Sequence, residues 1–75
     1  MNAAAPTHLY VGRREVVLAE IGEHRSIYPG RWLVTPIDSV GAGDFDSEGV
    51  NTKRDAQRLV RELRRHYPNI EVIWL

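Results

Sequence analysis

The segment Thr52 to Tyr67, TKRDAQRLVRELRRHY, constrains the fold most, because its apolar spacing specifies a helix by itself. Thr52 offers an N-cap oxygen, and Asp55 three positions later completes a capping-box pattern. At helical spacing Ala56, Leu59, Val60, Leu63 and Tyr67 fall on one face, and Pro68 ends the run. Such a stripe has to be buried against another layer. A chain of 75 residues has room for a single core, so the rest of the sequence must supply that layer.

The remaining apolar segments predict a sheet. His8 to Val11 and Glu15 to Ile21 are rich in β-branched residues, and Gly12-Arg13 between them predicts a hairpin turn. A short helix over Glu15 to His24 is the rival reading, which Leu18, Ala19 and Glu20 tolerate; the paired valines favour a strand. Pro29-Gly30 is a turn, and RWLVTPI after it predicts a strand with Pro36 at its end or on an edge. Glycines 41, 43 and 49 mark a loop, with a brief hairpin return near Phe45. The final segment, NIEVIWL, predicts a strand with Ile70, Val72 and Trp74 on one side and Ile73 and Leu75 on the other. Apolar residues on both sides predict a central or well-covered strand. The expectation is one small α+β domain over residues 7–75, ordered β-β-β-α-β. Its sheet is mostly antiparallel, with the amphipathic helix packed on a face. Residues 1–6, MNAAAP, are expected to form a flexible N-terminus.

Composition narrows the function classes. Without cysteine there is no disulfide framework and no thiolate zinc site, which favours a reducing, cytoplasmic setting. No apolar run reaches membrane-spanning length. The formal net charge is zero, whereas nucleic-acid binders usually carry a positive excess. That zero hides a polarity. Asp38, Asp44, Asp46 and Glu48 give the loop −4, while six basic residues against two acids give the helix +4. Arg54, Arg58, Arg61 and Arg65, at steps of four, three and four, form a line opposite the apolar face. Dipolar surfaces of this kind choose partners and orient them.

Two short motifs in the loop invite specific chemistry. Asp38 to Asp44, DSVGAGD, resembles the signature of ribokinase-type sugar kinases. There the glycine amides cradle a developing charge and the last aspartate is the base. The resemblance covers seven residues, and Gly49 and Thr52 place the helix start well after Asp44, so kinase chemistry is not expected. Asp44 to Asp55, DFDSEGVNTKRD, resembles an EF-hand calcium loop, with Asp44, Asp46 and Glu48 at alternating ligand positions and Gly49 at the sharp turn. It departs from that pattern at Glu48 and at Asp55, which stands where a bidentate glutamate is preferred, and VGAG supplies no entering helix. No metal, no cofactor and no catalytic residue are expected. Ser26, Ser39 and Ser47 lie in turns, and His8, His24 and His66 have no shared spacing.

Two wider resemblances bear on partners. RWLVTPID together with FDSEGVNTKRDAQRLVREL is similar to the arm-type DNA-binding domain of tyrosine integrases, three strands and a helix that opens on Thr-Lys-Arg. It implies nucleic-acid contact, which such modules make with the sheet, although the strands here are not notably basic; the helical line of Arg54, Arg58, Arg61 and Arg65 supplies the candidate phosphate-contacting residues. In size, lack of cysteine and arginine usage the chain also resembles small phage or mobile-element accessory proteins such as anti-CRISPR inhibitors. That resemblance implies a non-catalytic inhibitor docking on a host protein or ribonucleoprotein complex. Asp38, Asp44, Asp46 and Glu48 would then present carboxylates where phosphates would lie. No membrane partner is expected, and the oligomeric state is left open.

Overall fold

A computed structural model describes residues 7–23, 28–37 and 47–75. In chain order the elements are β1 (His8–Arg13), α1 (Arg14–Ile21), β2 (Trp32–Pro36), β3 (Glu48–Val50), α2 (Lys53–His66) and β4 (Glu71–Trp74). The strands form one mixed sheet in the order β3-β2-β1-β4. β1 pairs antiparallel with β2, β2 antiparallel with β3, and β4 parallel with β1. The α+β class therefore holds, while the order is β-α-β-β-α-β, with a helix in place of the expected second strand and a short strand at Glu48–Val50 where a loop was expected.

That extra helix is the first correction. The Glu15–Ile21 segment favoured as a strand is α1, and Gly12-Arg13 extends β1 instead of turning a hairpin. Val17 and Leu18 are buried while Val16 faces outward, so the valine pair straddles two sides of a helix. The helix is closed by Gly22 in the left-handed region at φ 77°. Its N–H reaches the Ala19 carbonyl at 3.2 Å, and the Glu23 N–H reaches that of Leu18 at 2.9 Å, the paired bonds of a Schellman stop. Glycine occupies this backbone region without a Cβ penalty, which β-branched propensity cannot offset once the stop is in place.

Side-chain alternation along the sheet feeds two cores. Leu9, Val11 and Val34 pack with Ala56, Val60, Leu63 and Ile70, so α2 covers one face. Trp32, Leu59, Tyr67 and Val72 are partly buried around that cluster. On the opposite face Leu33 packs with Val17 and Leu18 of α1, flanked by Tyr10, Ile21 and Tyr28. The whole apolar face expected of α2 is thus turned inward. Thr52 caps the helix as expected, accepting from the Asp55 N–H at 3.1 Å. Among the described residues the reciprocal bond from the Asp55 carboxylate is not made, and aspartate is one methylene shorter than the glutamate a capping box uses. The buried Thr35 hydroxyl is hydrogen-bonded to the Ser47 hydroxyl.

β4 is the second correction. It is an edge strand, and Ile73, Trp74 and Leu75 are 39%, 44% and 40% exposed. Connectivity decides this. α2 leaves β3 at one edge, crosses the face and delivers the chain to the far side of β1. The two tryptophans consequently differ: Trp32 packs against the core and Trp74 stands out from it.

The turn before β2 is held by close backbone contact. Arg14 donates from its guanidinium to the carbonyls of Tyr28 at 3.1 Å and Gly30 at 3.0 Å, and its N–H reaches Arg31 O at 2.8 Å. Gly30 sits at φ 84°, where a side chain is strained, and a Cβ there would collide with the Val50 carbonyl. A Cβ on Gly49 would collide with the Pro29 carbonyl in the same way. Gly49→Val is therefore expected to destabilise by about 1–3 kcal/mol through overpacking against backbone. A thermal melt of the variant superimposing on that of the native chain would show that residues 28–31 move aside freely.

Candidate functional site

α2 carries the site that the described residues define. Its cap at Thr52 fixes where the helix starts, and burial of Ala56, Val60 and Leu63 fixes its rotation. With that rotation Arg54, Arg58, Arg61 and Arg65 are all exposed. Arg54 to Arg65 covers about 16 Å of helix axis. Arg58, Arg61, Glu62 and Arg65 line an open cleft of about 230 Å³ on this face. The positions i, i+3, i+4 and i+7 are neighbours on a helix surface, so three arginines and one glutamate share this patch.

The electrostatics of this face are one-sided. Among the described residues no α2 arginine takes part in an ion pair; a histidine–carboxylate contact joins His8 Nε2 to Glu71 Oε2 at 3.3 Å. Arg64, Arg65 and His66 in the last turn lie where the helix dipole favours cations. Lys53 and Arg54 lie at the opposite end, where it does not. Arginine presents a planar fork of donors that matches phosphate or carboxylate oxygens. The face can accept a chain of anionic groups.

The acidic loop fares differently. Asp38, Asp44 and Asp46, the Gly-Ala-Gly motif and Phe45 lie outside the described residues, as do residues 1–6, His24 and Ser26. Glu48 is described; it is exposed at the start of β3. Glu48, Gly49 and Val50 form extended strand paired with β2, and Gly49 is not among the glycines at positive φ. A calcium loop of the EF-hand type makes its sharp turn at the position Gly49 would occupy. Thr52 Oγ1, which falls within that twelve-residue stretch, accepts from the Asp55 N–H. No cluster of three or more metal-ligating side chains occurs among the described residues. Addition of millimolar calcium is expected to leave the melting temperature unchanged, since a site filled only in the native state must stabilise by mass action. A rise reversed by Asp44→Ala with Asp46→Ala would establish a calcium site.

One arrangement was not legible in the sequence. Thr7 Oγ1 lies 2.7 Å from His8 Nδ1, and His8 pairs with Glu71 across the β1–β4 register. Hydroxyl, imidazole and carboxylate in a row are the parts of an activated nucleophile. The His8 and Glu71 side chains are 42% and 74% exposed, so water screens the row from both sides. It lies across the β1–β4 register, where His8 stands opposite Glu71. The pairing joins residues 63 positions apart and could be seen only once β4 lay beside β1.

Comparison with protein families, curated proteins and solved structures finds no match to this chain.

Proposed function

We propose that this protein is a non-catalytic binding protein whose α2 face docks on a polyanion, with the phosphate backbone of a nucleic acid as the ligand. One observation carries the reading: Arg54, Arg58, Arg61 and Arg65 are aligned, exposed and without an ion-pair partner among the described residues. The nucleic-acid alternative drawn from the sequence thus becomes the first reading. Helices lie on both faces of the sheet, so contact falls on α2 instead of on a bare sheet face. The four guanidiniums spread along this stripe of about 16 Å can meet at most four phosphates, one fork each. Contacts of this kind position a protein without reading sequence. With zero net charge to steer approach, affinity belongs in the non-specific range, a Kd on the order of 10⁻⁴ to 10⁻⁶ M at physiological salt.

The second reading keeps the inhibitor expected from the sequence. It is favoured by the −4 charge of Asp38, Asp44, Asp46 and Glu48 lying in the chain just before the +4 helix. In that reading the acids engage a basic groove on a host protein or ribonucleoprotein complex. One titration separates the two. Anisotropy of a labelled duplex is followed against protein at several salt concentrations. Phosphate contact by four arginines predicts a log–log slope of about −3.6 for B-DNA. Asp44→Lys with Asp46→Lys should leave that binding intact or strengthen it. A duplex that does not bind at low salt would end the nucleic-acid reading.

A further inference from the structure

We infer that two copies of this chain associate through the outer edge of β4, forming one continuous sheet across a twofold axis at Ile73. The inference does not rest on the function proposed above.

Among the described residues the backbone of β4 is bonded on one side only. Glu71 N–H donates to Thr7 O at 2.9 Å and Leu75 N–H to Val11 O at 2.8 Å, so the odd-numbered residues bond inward to β1. By strand alternation the N–H and C=O of Val72 and Trp74 point outward, at the end of the sheet. An edge of this kind is a template for another strand unless it is short, charged, bulged or broken by proline. The opposite edge has such protection: β3 is three residues long and carries Glu48. From Val72 to Leu75 no side chain is charged and there is no proline. The large apolar side chains exposed among the described residues are Val16, Ile73, Trp74 and Leu75, and three of these four lie on β4 or directly after it.

The pattern of donors selects a second copy of the same strand. In antiparallel pairing, outward residues must face outward residues. Placing Val72 opposite Trp74 of the other copy, and Trp74 opposite its Val72, uses every outward group of the strand in two reciprocal pairs. Pairing about Val72 alone would bring Ile70 into the ladder, and its N–H already donates to Tyr67 O at 3.0 Å. In the favoured register Ile73 meets its own counterpart at the axis, where side chains of a non-hydrogen-bonded pair approach closest. Trp74 lies beside the other copy's Val72, and Glu71 faces Leu75, so no like-charged side chains oppose each other. The chain's zero net charge adds no long-range repulsion between copies. A twofold axis normal to the sheet leaves both α2 helices on the same face.

A four-residue edge with these side chains covers roughly half of the ~800 Å² per partner of a standard interface. The dimer is accordingly weak and dissociates on dilution. Sedimentation equilibrium of the intact chain from ~1 µM to ~1 mM should show monomer passing to dimer. Amide exchange should show Val72 and Trp74 gaining protection with concentration, while Ile73 and Leu75 are protected throughout. Ile73→Lys sets two cations at the axis, and Trp74→Pro removes an outward donor without touching the β1 pairing. Each should abolish dimer, and each should melt near the native chain at low concentration. The inference is overturned if the native chain stays monomeric at ~1 mM, if Val72 and Trp74 protection is independent of concentration, or if both variants dimerise like the native chain.

Discussion

Leu63→Ala is expected to lower stability by about 2–5 kcal/mol, the range for truncating a buried leucine to alanine. Leu63 lies in the last third of α2 and is packed in the cluster of Leu9, Val11, Val34, Ala56, Val60 and Ile70. Removing its branched end leaves a void between helix and sheet that the strands, held by hydrogen bonds, cannot close. In a domain of this size each kcal/mol shifts the melting temperature by about 4–8 °C. Small domains carry little stability in reserve, so the variant should sit near or beyond the edge of folding at 37 °C. Differential scanning calorimetry or a melt followed by circular dichroism makes the comparison. Arg61→Ala on the exposed side of the same helix is the control, with an expected change within about 0.5 kcal/mol. Equal melts for Leu63→Ala and the native chain would mean that the buried side of α2 has been misassigned.

The second large effect concerns binding. Arg58→Glu with Arg61→Glu should weaken duplex binding by about 100-fold or more at low salt and reduce the magnitude of the salt slope by about two. Both residues line the α2 cleft and neither is buried, so the fold should survive the change. Reversal turns a face of three arginines and one glutamate into one of three acids and a single arginine, which repels phosphate. A matched pair, Arg58→Lys with Arg61→Lys, keeps the charge and loses the bidentate fork. It should retain the salt slope with a modest loss of affinity. Unchanged duplex binding in the reversed variant would remove α2 from the interface. If that variant also keeps its grip on a host protein while Asp44→Lys with Asp46→Lys loses it, the acidic-loop reading replaces the present one.

The elements differ in how far they could be read in advance, and the differences have physical causes. α2 was legible to its cap, because a 3.6-residue apolar period over 14 residues admits no other regular structure. The cationic line followed from the same periodicity, since whatever lies opposite the buried stripe must be exposed. α1 was misjudged because its eight residues do not sort into an inner and an outer face by chemistry: Val16 is exposed and Val17 buried. The signal that could have found it was Gly22, a residue free to adopt the left-handed stop after one short helix. β4 was recognised as a strand from alternation and misplaced as a covered one. Apolar residues on both sides of a strand express how much surface it can bury, and they carry no information on which neighbours it has.

Local physics, written in the sequence, determined the α+β class, the start and rotation of α2, and the placing of Arg54, Arg58, Arg61 and Arg65 on one exposed line. Each depends on residues within a few turns of one another. The tertiary structure alone decided the strand order, the open edge at Val72 and Trp74, the closure of the 28–31 turn against Gly49, and the His8–Glu71 pairing. These join segments distant in the chain. Their geometry is set by where α2 crosses the sheet and which side of β1 is left for β4. That choice belongs to the packing of the whole domain, and no short stretch of residues contains it.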